Sequence, residues 1–304
     1  MAGNSRYLRT TGQHATIAPD GWTDGAFVLS IAGAEQSHVN LARPEEIFYE
    51  YLRRIAHVVD LVAPGGRPIS ALHLGAGALT LARYIQRTRP GSVQHAVELE
   101  RELLDYVLQQ LPLPAGSILT THIGDAREVL NQLEPDLSFD VIVLDIFSGP
   151  EAPEHIACTG FYQEAIARLA PAGVLVVNVG DEPALTLVRS QVRALRRAIA
   201  DRRTGIPASS GAPAAPGAPE SPIVLDAGVI QASGWANFGG GEVAAVAETG
   251  MFAGRYPGNI ILIGTTGRWP STWTAELTAR GPHPATVLTG VDLDSIAGGA
   301  PFNG

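Results

Sequence analysis

Several apolar runs in this chain end in a residue type that can bind or transform a ligand. Ala71-Leu72-His73-Leu74 ends at Gly75-Ala76-Gly77, Val97 leads into Glu98, Gly124 precedes Asp125-Ala126, and Val141-Ile142-Val143-Leu144 ends at Asp145. Glycine lets a backbone bend sharply and approach a ligand with no Cβ in the way, although tight strand-to-helix turns also use it for structural reasons alone. An acid at the end of the next run can accept two hydrogen bonds from a ribose diol. Glu98 lies 21 residues after Gly77, close to the ~20-residue offset of a nucleoside-binding βαβ unit. Asp125 can cap a helix, accept from an adenine amine, or do both. Asp145 is followed by Pro150 and Pro153 instead of a clear helix, which leaves it free for a reacting centre. A carboxylate beside a sulfonium lowers the cost of positive charge and can take a proton from an amine nucleophile.

Parallel strands with short crossover helices would bring these positions together. From Ser70 the hydrophobic period alternates: strand 70–75, helix 78–89, strand 93–98, helix 100–111, strand 117–123, helix 125–133 and strand 139–145. Helix 159–169, strand 173–179 and helix 183–201 continue the series. Continuous apolar runs suit strands buried on both faces, so the pattern predicts an α/β fold with an open, doubly wound sheet. Ligands of such sheets sit at the carboxyl ends of the strands. Residues 1–45, with short β-branched and aromatic runs between glycines, predict a small N-terminal β cap. A helix is expected to start at Pro44-Glu45-Glu46, with Ile47, Tyr51, Ile55, Val58 and Val59 as its apolar stripe. A catalytic domain is expected over 46–304, interrupted by a mobile Pro/Ala/Gly/Ser-rich insertion at about 203–222. Beyond it, 223–225, 243–246 and 259–263 read as strands, the last two as a C-terminal antiparallel hairpin, and 271–280 as a final helix. The polar, proline-bearing stretch 146–155 would form a lid or substrate wall.

Composition narrows the chemistry. All 21 basic residues are arginine, and without lysine there is no Schiff base, pyridoxal phosphate anchor or P-loop cation. The eight histidines form no close-spaced pair and there is one cysteine, so neither an internal disulfide nor a structural zinc site is expected. A net charge of −9 argues against nucleic acid as a partner. The run Arg193, Arg196, Arg197, Arg202 and Arg203 reads as a solvated helix face. No apolar stretch is long enough to span a bilayer, and Met1–Arg6 shows no secretory signal, so a cytoplasmic enzyme is the expectation.

Leu74-Gly75-Ala76-Gly77, Val97-Glu98-Leu99-Glu100, Gly124-Asp125-Ala126, Leu144–Pro150 and Gly160-Phe161-Tyr162 occur in this order, with Gln36-Ser37-His38, Phe48-Tyr49-Glu50 and Gly254–Asn259 around them. In these motifs the chain resembles the spermidine synthase-like proteins, the polyamine synthases or aminopropyltransferases, from about residue 26 to 295 apart from the insertion. The resemblance implies a Rossmann-like, methyltransferase-type sheet. It also implies aminopropyl transfer from decarboxylated S-adenosylmethionine to a diamine, with release of methylthioadenosine and no metal. By the same resemblance, Gly75, Ala76 and Gly77 pass the donor's tail, Glu98 binds its ribose, and Asp125 with Ala126 binds adenine. Gln36 lines the donor site, Asp145 is the base, and Tyr49 and Ser148 face the acceptor. A homodimer or homotetramer is implied too.

The chain departs from the family pattern where it matters for charge. Ala78 stands where the family carries an aspartate for the donor's ammonium, and Ser148 stands where it carries a second acceptor-binding aspartate. The first-helix tyrosine is displaced by one position, to Tyr49. The transferase could therefore use S-adenosylmethionine itself, or act on another nucleophile, and three other readings stay open: an S-adenosylmethionine-dependent methyltransferase of the same fold, a nucleoside-binding protein impaired in catalysis, and a nicotinamide dehydrogenase. The last fits Gly75 and Glu98 but has Thr80 where a third glycine belongs.

Overall fold

The computed structural model describes residues 5–146, 153–204, 242–299 and 302. Ser148, nearly all of the expected insertion and the strand expected at 223–225 lie outside the described residues. At the N-terminus, β1 (Ser5–Tyr7), β2 (His14–Pro19), β3 (Ala26–Ile31) and β4 (Ala34–Asn40) form an antiparallel meander. The chain then runs α1 (Glu50–Leu61), β5 (Ser70–Leu74), α2 (Thr80–Thr88), β6 (Val93–Glu98), α3 (Arg101–Gln110), β7 (Ile118–Ile123), α4 (Ala126–Gln132), β8 (Phe139–Leu144), α5 (Thr159–Ala167), β9 (Leu169–Asp181) and α6 (Thr186–Thr204). After the undescribed segment come β10 (Glu242–Glu248), α7 (Thr249–Phe252), β11 (Gly258–Thr265), α8 (Trp273–Arg280), β12 (Ala285–Thr289) and α9 (Gly290–Ala297).

The main sheet has the order β12-β10-β11-β9-β8-β5-β6-β7. Strands β7, β6, β5, β8 and β9 are parallel, and β11, β10 and β12 are added antiparallel. The chain winds outward from β5 through β6 to β7, then returns to the other side of β5 as β8. That reversal puts the switch point between β5 and β8, where such sheets bind ligands.

Alternation along the central strands explains the layering. In β8, Val141 and Val143 face a core built with α1, α2 and α8, whereas Ile142 and Leu144 face one built with α4, α5, α6 and α9. Burying one such side chain contributes about 1.5–3 kcal/mol, and this continuous two-sided burial makes the apolar runs obligatory. The N-terminal meander packs Leu8, Ala15, Leu29 and Val39 on Leu79, Ala82, Leu103 and Val107 of the α2 and α3 region. It thereby roofs the carboxyl ends of β5 and β6.

Three expectations need correction. The first helix begins at Glu50 and not at Pro44. Ile47 is drawn into the core and Phe48 stacks on His38 with centroids 4.6 Å apart, so tertiary contacts hold 44–49 in a nonhelical path despite favourable propensity. The segment 271–280 is not the final helix, because β12 and α9 follow. The hairpin of β10 and β11 forms as expected but does not end the sheet, since β12 pairs beyond β10.

Candidate functional site

The turn after β5 is shaped by a close approach to β8. Gly75 has φ +94°, and a Cβ on it would run into the carbonyl of Asp145. The Asp145 N–H in turn donates to the Leu74 carbonyl at 2.9 Å. Two strand ends are thus locked side by side, with the glycine turn against Asp145. Gly77 also has positive φ, +48°, and Leu79 enters the left-handed region at φ +58° to start α2.

Glu98 closes the same turn from β6. Its carboxylate accepts the N–H of Ala76 at 3.2 Å and of Glu100 at 3.1 Å. Burial pushes the Glu98 carboxyl above its ordinary value, and the surrounding backbone N–H groups, Glu100 first, oppose that rise. An ionised carboxylate offers about four lone-pair sites, so a cis-diol can still be accepted. Glu100, two residues on at the start of α3, is spent differently: it is buried and takes the N–H groups of Thr10 and Thr11 at 3.2 and 2.6 Å, tying the β1–β2 turn over the cleft.

Asp125 performs the capping role. It accepts from the N–H of Arg127 at 2.9 Å and of Glu128 at 3.2 Å, starting α4 at Ala126. Its second oxygen faces His155 Nε2 at 2.7 Å. Burial alone would raise this carboxyl, but the bonds from His155, Glu128 and Arg127 outweigh it and leave it lowered.

Asp145 sits at the end of β8 in a neutral hydrogen-bonded niche. Asn178 of β9 donates Nδ2 to Oδ1 at 2.8 Å, and Tyr51 of α1 donates its hydroxyl to Oδ2 at 3.3 Å. Burial raises the acid's pKa, with Asn178 and then Tyr51 opposing it. The Tyr51 phenol is itself pushed up, first by burial and then by Asp145. Beside it Tyr49 stacks at 6.2 Å and donates to Glu35 at 3.3 Å; burial, with Glu35 adding to it, lifts the Tyr49 phenol to about 12.

One cleft of about 970 Å³ is lined by Gln36, Tyr49, Gly75, Ala76, Gly77, Glu98, Asp125, Ala126 and Asp145. Every site residue expected from the sequence and lying within the described residues is therefore brought to one place. Ser148 lies outside them. Ala78 is 1% exposed and packs in the core under the meander, its N–H donating to Ser37 Oγ at 3.2 Å. Tyr51 and Asn178 are not among the site residues the sequence predicts, and His155 enters only as the last residue of the expected 146–155 wall. Asn178 did carry a signal, being the one polar residue within the strand run Val174–Val179.

No protein-family model matches the chain. A curated relative from Bifidobacterium longum (strain NCC 2705), "Probable polyamine aminopropyl transferase", is 30% identical over 110 residues, covering 36% of this chain and 24% of that protein. The "eEF1A lysine and N-terminal methyltransferase" of Bos taurus is 26% identical over 121 residues, 37% of this chain and 17% of that one. The matched part of the chain thus spans a quarter or less of these relatives' length. Among solved structures, a probable spermidine synthase from Corynebacterium glutamicum ATCC 13032 superposes with a TM-score of 0.76 at 24% identity, over 100% of this chain and 97% of that one. That likeness extends the shared fold across the described residues, N-terminal meander included.

Proposed function

This spermidine synthase-like chain, we propose, is a transferase that moves a carbon group from an adenosyl sulfonium compound to a small amine and leaves a neutral adenosyl thioether. In its finer form the donor is decarboxylated S-adenosylmethionine, the group is aminopropyl and the thioether is methylthioadenosine. S-adenosylmethionine is the alternative donor. The observation that carries this reading is the placement of the Asp145 carboxylate: half-buried beside the Gly75 turn, in the cleft that Glu98 also lines, and bonded only to neutral donors.

The residues divide the work. Glu98 accepts the ribose hydroxyls, and Asp125 with Ala126 lies at the adenine end. The Gly75–Gly77 turn passes the tail, and Gln36 flanks the donor. Tyr49 and Ser148 belong to the acceptor end. The amine lone pair forms a bond to the carbon next to sulfur, the carbon–sulfur bond breaks, and its electron pair stays on sulfur. The amine's proton goes to Asp145. Burial makes that carboxylate a stronger base than one in water, while Asn178 and Tyr51 keep its charged form accessible. The sulfonium is an activated leaving group, so positioning and one base are sufficient for the reaction.

Incubation with each donor and a set of mono- and diamines, followed by mass spectrometry, tests the reading. Methylthioadenosine and an alkylated amine are expected; S-adenosylhomocysteine without methylthioadenosine would instead establish methyl transfer. The burial of Ala78 favours keeping that second reading, because no acid is offered at this position to a donor ammonium. A cytoplasmic location completes the proposal together with assembly into a homodimer or homotetramer, the latter on the strength of the family resemblance and checked by light scattering.

A further inference from the structure

Behind Asp145 lies a chain of side-chain amides with a defined polarity. Asn178 is 7% exposed, in a strand whose neighbours are aliphatic. Its Nδ2 donates to Asp145 Oδ1 at 2.8 Å, and its Oδ1 accepts from Nδ2 of Asn259 on β11 at 3.1 Å. An amide is nearly symmetric in shape, so it can turn over and present oxygen where nitrogen was. Facing a carboxylate, which has no proton to give, only the nitrogen-forward orientation bonds. Asn259 favours that same orientation from the far side, because its own N–H needs the Asn178 oxygen.

The two carboxylate oxygens consequently differ. Oδ1 is turned toward Asn178, which lines a separate small cavity on the inner side and not the main cleft. Oδ2 is turned toward Tyr51, which lines the cleft.

We propose that Asn259 and Asn178 act as positioning residues, a two-amide clamp from β11 through β9 that immobilises Oδ1 of Asp145 and leaves Oδ2 as the oxygen that receives the substrate's proton. The proposal rests on Asp145 being the base. Among the described residues, the groups that bear on Asp145 are Asn178 from β9 and Tyr51 from α1, with no charged neighbour contributing. Tyr49 acts on it only through Tyr51, and His73 of β5, which lines the same cleft, is held neutral by burial with its pKa lowered to about 4.

Three substitutions test the clamp. Asn178→Leu removes the donor at similar volume. Asn259→Leu releases the amide so that it can turn over. Asn259→Asp inverts it, since a carboxylate at 259 attracts the Asn178 nitrogen and presents the oxygen to Asp145. The first readout is the titration of the Asp145 carboxyl by NMR of protein carrying ¹³C-labelled aspartate, assigned by loss of the signal in Asp145→Asn. Asn178→Leu and Asn259→Asp are expected to raise it by about one pH unit, a tenfold change in the ionisation constant; Asn259→Leu shifts it less, in the same direction. The second readout is the acid limb of the kcat/KM profile, which moves with it, while thioether affinity stays unchanged. An Asn259→Asp protein that is folded and titrates as the parent does would overturn the clamp. If that variant does not fold, an unshifted titration in Asn259→Leu does the same. A chain that alkylates no amine at all defeats the transfer reading, and the titration still decides the clamp.

Discussion

Two glycines of one turn should respond very differently to the same small change. At Gly75, alanine must adopt φ +94° and place its Cβ into the carbonyl of Asp145. The left-handed backbone costs an L-residue about 1–2 kcal/mol, and forcing extra volume against fixed backbone adds about 1–3 kcal/mol. The sum, about 2–5 kcal/mol, is a large share of the roughly 5–15 kcal/mol that holds a domain together, and lowers Tm by roughly 5–15 °C. At Gly77 the backbone, φ +48°, is close to the value Leu79 already adopts, and the new Cβ meets a single side-chain oxygen, Ser37 Oγ, at 2.8 Å. That oxygen can rotate away at the expense of its bond from the Ala78 N–H, so Gly77→Ala should cost about 1–3 kcal/mol, less than Gly75→Ala and with no movement of Asp145. Denaturant unfolding of both variants, followed with binding of an adenosyl thioether, measures the difference. Gly75→Ala should also lose turnover, because relieving its clash moves the Asp145 backbone. Equal stability losses at the two positions, or a Gly75→Ala protein as stable and active as the parent, would refute the close approach of β5 and β8 on which the site is built.

Glu98→Gln keeps the shape but replaces a charged acceptor, and should weaken adenosyl thioether binding by about 10–100-fold, since hydrogen bonds to charged groups contribute about 1.5–3 kcal/mol; calorimetry reads the change. Asp145→Asn should abolish transfer while leaving thioether affinity nearly intact. Because burial raises the Asp145 pKa, the folded state holds this proton more tightly than the unfolded one, and the carboxyl's contribution to stability is lost as pH rises through the raised value. Asp145→Asn should therefore gain in Tm over the parent at neutral pH and lose that advantage below the ordinary carboxyl range. Asp125→Asn preserves the cap and should keep stability, whereas Asp125→Ala loses about 0.5–2 kcal/mol; if Asp125→Asn nonetheless weakens binding of adenosyl but not inosyl thioethers, the carboxylate also reads the base.

Glu98, Asp125, Asp145 and the Gly75 turn were legible because parallel strands leave few choices: each apolar run must end at the same edge of the sheet, so a polar residue just past each run faces the switch point. Tyr51 was legible only as part of an apolar stripe. A stripe assigns a residue to a helix face but not to what its hydroxyl reaches. Asn178 marks the opposite case, an amide inside a buried run that has no business there unless it meets a partner, and its partner lies on another strand. The edge element β12 went unread because five residues between turns carry little periodic signal, and its pairing with β10 is set by tertiary contact. Helix α9 beyond it continues a fold whose closing elements the sequence pattern understated.

The charge of the cleft fits the direction of the proposed reaction. Its lining holds Glu98, Glu100, Asp125 and Asp145, and among the described lining residues no arginine, in a chain whose cations are all arginine. Glu100 and Asp125 spend part of their charge on backbone N–H groups, but they still leave the walls negative. A sulfonium and an ammonium are both drawn to such a site, since a low-dielectric cleft focuses the field of its walls. Transfer removes the charge on sulfur, so the thioether product loses an attraction that the donor had. The same wall that gathers two cations thus loses its hold once the C–S bond breaks and sulfur becomes neutral, which favours product release, and the spent nucleoside is held by hydrogen bonds alone. Neutralising Asp145 should accordingly weaken binding of a sulfonium donor more than that of its thioether, and equal losses for the two would show that the walls do not discriminate by charge.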